Sequence, residues 1–161
     1  MSVFVVVARA VSISLAVASA GQQTPPREPI APSVTREVLE SIAQLECAFT
    51  VVAAGRWSGA SPTVRMSTLS EPMGLTLFDI SVPDASATSR SAGRTSSVSV
   101  RSDQSNLYFL DGQSDGVISL TTVFAQTTAT GRLKAVHTRT GQVAEQFYGD
   151  CGIAKPPSGR E

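Results

Sequence analysis

A chain of 161 residues fits one domain with a sizeable core, and its 13 basic residues balance its 13 acidic ones. That balance supplies no overall field to draw the protein to nucleic acid or to anionic lipid, so neither is expected as a partner. Serine, threonine, alanine and valine dominate after the first twenty residues, and β-branched and hydroxyl side chains suit pleated sheets better than helices.

Residues 1–20 are apolar, carry no acid, and close on Ala18-Ser19-Ala20, the small-x-small pattern that a signal peptidase accepts. Cleavage is expected before Gly21. Arg9 interrupts the apolar run, and what remains is shorter than the roughly 20 residues of a membrane span. The product is therefore expected to be secreted or periplasmic, with no membrane span after processing. Pro25, Pro26, Pro29 and Pro32 make residues 21–32 an extended linker. Ser33 or Thr35 then stands where a helix cap would. Val34, Val38, Leu39, Ile42 and Leu45 follow at helical spacing, which predicts a short amphipathic helix ending near Gln44. Residues 33–155 are expected to form the single domain, and 156–161 a flexible tail.

From Cys47 the period changes to two. Cys47, Phe49, Val51 and Ala53 alternate along a first strand that runs out at Gly55. Residues 62–68 read as a weak edge strand, and residues 75–80 as a clearer one with Phe78 and Ile80 on one face. Residues 85–90 form a poorly apolar strand, and Ser91-Ala92-Gly93-Arg94 a turn. Residues 96–101 follow, with Val98 and Val100 inward and Arg101 outward. After the apolar run 107–110, Asp111-Gly112 and Asp115-Gly116 reverse the chain into 117–124. Strands 133–140 and 145–151 complete the set, the last placing Phe147 and Cys151 on one face. Phe49, Phe78, Phe109, Phe124 and Phe147 fall one per strand, as core residues do.

Eight or nine short strands with only tight connections are expected to form an all-β, antiparallel up-and-down meander, because parallel strands need long crossovers. Such a sheet closes into a small barrel or folds as a β-sandwich. An even cysteine count in an exported chain predicts a Cys47–Cys151 disulfide. It would make the first and last strands neighbours, which favours the barrel.

The residues support little catalysis. His137 is the sole histidine, so no histidine metal cluster exists; no metal or cofactor is expected, and no paired carboxylates or nucleophile motif occurs. His137 and Arg139 enter the interior if Leu133 and Ala135 point inward, and face solvent if Val136 does. Asp79, alone among apolar neighbours in a strand, is the one acid to watch.

Gly55-Arg56-Trp57 on the first strand, the meander and the late Arg139 together resemble the lipocalin-like, or calycin, barrels. That resemblance implies a tryptophan closing the barrel end beneath an arginine, and an interior holding a small apolar ligand. A wider pattern comprises Cys47-x-Phe49, Gly55-x-Trp57, Phe78-Asp79-Ile80, Thr121-Thr122-Val123-Phe124, Lys134-Ala135-Val136-His137-Thr138-Arg139 and Tyr148-Gly149-Asp150-Cys151. It is similar to a group of small exported bacterial proteins with no assigned activity. The periplasmic lysozyme-inhibitor barrels are a more distant likeness in size, export and a disulfide-pinned sheet.

These readings converge on a non-enzymatic exported binding protein that holds a small apolar ligand or presents loops to an extracytoplasmic protein, with Trp57, His137, Arg139 and Asp79 as candidate contacts. Two alternatives stand beside it. One is a barrel-type cyclase or isomerase, which needs His137, Arg139 and Asp79 to converge; the other is a structural envelope protein with a filled core.

Overall fold

A computed structural model describes residues 33–112, 116–141 and 143–154. The leader, the linker and the tail read from the sequence lie outside the described residues. Eight antiparallel strands follow one another: β1 (Leu45–Ser58), β2 (Ser61–Ser81), β3 (Ser86–Ser91), β4 (Arg94–Ser102), β5 (Asn106–Gly112), β6 (Ile118–Thr127), β7 (Leu133–Thr140) and β8 (Ala144–Ile153). Each pairs with the next, and β8 pairs back onto β1, so the hydrogen-bonded ring closes. The β3–β4 reversal has Ala92 and Gly93 both at positive φ, the conformation a tight two-residue hairpin turn requires.

Closure depends on two features of the β1/β8 seam. Cys47 faces Cys151 directly, their Cα atoms 3.9 Å apart, and the two are joined by a disulfide across a sequence separation of 104. For a loop of that size the chain-entropy account assigns up to about 4.7 kcal/mol. Gly149 sits opposite Phe49, where a bulge at Thr50 shifts the register. A Cβ on Gly149 would lie 2.6 Å from the Phe49 Cα and closer still to the Ala48 carbonyl oxygen. Only glycine lets the strands approach this closely.

One helical turn, α1 (Arg36–Glu40), precedes the sheet, its first turn capped by the Thr35 hydroxyl accepting from the Val38 N–H. The spacing predicted a helix as far as Gln44. It stops at Ser41, because the Ala43 and Gln44 carbonyls accept instead from the Ile80 and Ala154 N–H groups of the sheet. Leu39 and Ile42 are buried and join Leu45, Leu77, Val100, Leu107, Val123 and Leu133 in the core. The helix thus seals what is here called the lower end of the ring.

Several strand expectations are corrected. The two strands read at 62–68 and 75–80 are one, β2, and β1 runs beyond Gly55 to Ser58. The bulge at Thr50 ends the Cys47, Phe49, Val51 alternation, so that Val52, rather than Val51, packs on the core. Phe78 is not a core residue: Leu75 and Leu77 take the inward face, and Phe78 lies outside under the Arg90 guanidinium at 5.0 Å. Phe124 is likewise outward and half-buried, because Ser119, Thr121, Val123 and Ala125 point in. Phe49, Phe109 and Phe147 are buried as expected, and so are Val98 and Val100.

Candidate functional site

The end of the ring opposite the helix is built differently. Along β7 the burial of Leu133 and Ala135 sets the parity, and His137 and Arg139 therefore share the inward face. Cross-strand pairing brings Thr121 and Phe147 to either side of His137, and Ser119 and Glu145 to either side of Arg139. On the far wall, the inward positions of β3 and β4 above Ala87 and Val98 are Ser89 and Ser96, which pair with each other. Small hydroxyl side chains cannot fill the ring as leucine does below. A cavity of about 320 Å³ remains, with Leu75, Leu77, Val98 and Phe109 at its base and Ser89, Ser96, Asp111, Ser119, Thr121, His137, Arg94 and Arg139 around its mouth.

The polar groups at the mouth are held in place by one another. The Ser96 hydroxyl donates to Asp111 Oδ2 at 2.7 Å, which commits its single proton; the Ser89 hydroxyl, 2.8 Å away, must then donate to Ser96. Thr121 Oγ1 lies 2.8 Å from His137 Nδ1, with the donor set by the histidine tautomer. The imidazole stands between the Phe49 and Phe147 rings, at centroid distances of 5.8 and 5.9 Å. Burial pushes its pKa down to about 4, helped by Arg139 and opposed by Asp111. At neutral pH His137 is an uncharged donor and acceptor. Arg139 is paired with Glu145 at 2.5 Å and lies 5.6 Å over the Phe147 ring, so the mouth offers balanced rather than net charge. No buried side-chain polar atom lacks a hydrogen-bond partner among the described residues.

Of the four candidate residues, His137 and Arg139 come together and the others do not join them. Trp57 lies on the part of β1 that extends past the ring and is 77% exposed, and Arg139 stacks on Phe147 rather than on it. Asp79 is exposed at a positive φ of 53°, in the irregularity between the Phe78 and Ser81 pairings, beyond Leu77 and away from the mouth. The acid that faces the cavity is Asp111, which the sequence places in a turn. Ser89, Ser96, Ser119 and Thr121 were also missed. Their signal was faint: hydroxyl residues at the inward parity of strands whose other inward positions are apolar.

Among the described residues no group of three or more His, Cys, Asp or Glu is placed to hold a metal ion, and no helix is long and apolar enough to cross a membrane. The fold and site together define a small closed antiparallel sheet with one sealed end and one hollow, polar-rimmed end. No family model, no curated protein and no solved structure matches the chain.

Proposed function

We propose that the protein is an exported, non-enzymatic carrier, a small barrel that binds an amphipathic small molecule in its open end. The observation that carries this reading is the cavity of about 320 Å³, which has an apolar base and a hydroxyl-rich, charge-balanced rim. Its size falls at the low end of ligand sites, and an apolar pocket with a few convergent polar groups is the usual form of such a site. An apolar ligand body would rest on Leu75, Leu77, Val98 and Phe109. A polar, uncharged head would meet Ser119, Thr121 and neutral His137. The sequence suggested a small apolar ligand; the hydroxyl rim favours one with a polar end, since a polar head can replace the water on the remaining lone pairs of those hydroxyls, whereas an apolar group would only strip it away. Export is supported by the leader pattern and agrees with the Cys47–Cys151 disulfide.

The uncharged fluorescent probe N-phenyl-1-naphthylamine tests the site. Its emission should rise on binding and be reversed by competing medium-chain alcohols. Ser89→Leu, which fills the cavity from the β3 wall, should abolish the response while leaving the folded circular dichroism spectrum intact. Equal probe binding by wild type and the folded Ser89→Leu variant would refute the cavity as the site.

A further inference from the structure

Beyond the ring, β1 and β2 continue as a two-stranded hairpin. β8 accompanies β1 only as far as the Gly55 and Ala144 pair, and β3 accompanies β2 only from Thr76, so the segment between projects alone. Residues 56–68 are exposed throughout. Directly opposed residues share a face, and the register places Ala53 with Met66, Gly55 with Val64, and Trp57 with Pro62 on one side. The other side pairs Ala54 with Arg65, Arg56 with Thr63, and Ser58 with Ser61. The hairpin is thus apolar on one face and basic on the other, with Trp57, Val64 and Met66 at 77%, 70% and 70% exposure. Charge is balanced over the whole chain but leans positive here, since the projecting residues 56–75 carry Arg56 and Arg65 against Glu71 as their one acid.

We propose that this hairpin docks on an anionic phospholipid surface, with Trp57, Val64 and Met66 entering the interfacial region and Arg56 and Arg65 meeting lipid phosphates. Tryptophan favours the membrane interface because its ring is apolar and its N–H needs a partner, and basic residues beside an apolar face add attraction to anionic lipid. A second copy of the chain fits less well. The exposed apolar side chains offer roughly 400 Å², and two such faces together would bury about 800 Å², short of the ~1,200 Å² of a specific interface. Strand addition along the free edge of β2 is opposed by Pro62 and Pro72, which donate no hydrogen bond, and by the register break between Thr68 and Met73. This inference stands independently of the cavity.

Trp57 is the only tryptophan in the chain, so its emission reports on the hairpin alone. The mature protein is titrated with vesicles of phosphatidylcholine and with vesicles of phosphatidylcholine and phosphatidylglycerol. With the anionic vesicles the emission should move to shorter wavelength and become shielded from acrylamide, and added salt should reverse both changes. The double variant Arg56→Glu with Arg65→Glu should partition about tenfold less or weaker still, and Val64→Ser with Met66→Ser should also weaken it, with the sheet's circular dichroism unchanged. The proposal is overturned if neither vesicle moves the emission or if both move it equally. It is also overturned if the shift appears without lipid as protein concentration rises, which would identify a second copy as the occupant.

Discussion

The two ends of the ring are built by the same eight strands, yet one is solid and the other hollow. At the lower end, inward positions carry Leu45, Leu77, Val100, Leu107, Val123 and Leu133, and Leu39 of α1 with Ile42 just after it forms a lid. At the mouth the same strands turn Ser89, Ser119, Thr121, His137 and Arg139 inward. Both ends belong to one hydrogen-bonded ring, and side-chain volume governs where space is left inside it. Stability and binding are thereby separated along one axis, and substitutions at the two ends should behave differently.

The seam that holds both ends closed is the most sensitive place to break. Gly149→Ala drives a Cβ into the β1 backbone and should cost about 4 kcal/mol or more, seen as a large drop in urea midpoint or as failure to fold. Phe49→Ala, at a fully buried ring, should cost about 3 to 5 kcal/mol, whereas half-exposed Phe124→Ala should cost no more than about 1 to 2 kcal/mol. Equal costs in chemical denaturation would mean that the inward parity of β6 is the other one. Reducing the disulfide, or replacing both cysteines by serine, should remove about 2 to 5 kcal/mol, measured as the difference between oxidised and reduced unfolding curves.

The effect at the mouth depends on pH. The pKa of His137 is about 4 in the folded protein against an ordinary 6.5, so the unfolded chain takes up the proton first as pH falls. Its contribution to stability is therefore fully present above about pH 6.5 and is lost between 6.5 and 4, by up to about 3 kcal/mol. His137→Gln should flatten this part of the stability profile. The depressed carboxyls of Glu37, Glu40 and Asp103, the last at about 2, lose their contributions only at lower pH, so they do not blur the upper part of the window. An unchanged slope between pH 6.5 and 4.5 in His137→Gln would show that the imidazole is not buried in solution.

Much of the sheet was legible in the residues. Period-two alternation with short connections determines antiparallel strands, because no connection is long enough for a crossover, and the two cysteines bracket the β region so that its first and last strands must meet. The sequence by itself also determined that His137 and Arg139 share a face, since they stand two apart on one strand. Which face was a tertiary decision. On β7 both parities carry plausible inward residues, as they do on β2 and β6, and alternation specifies parity only where one face is plainly apolar. Pairing around the ring resolves it, because each inward residue obliges its cross-strand partner to point inward too. The hairpin beyond Gly55, the bulge that turns Val52 inward, and the entry of Asp111 rather than Asp79 into the mouth were decided in the same way, by neighbours distant in the chain. Local sequence sets the rhythm of a strand, and contact with the next strand sets its phase.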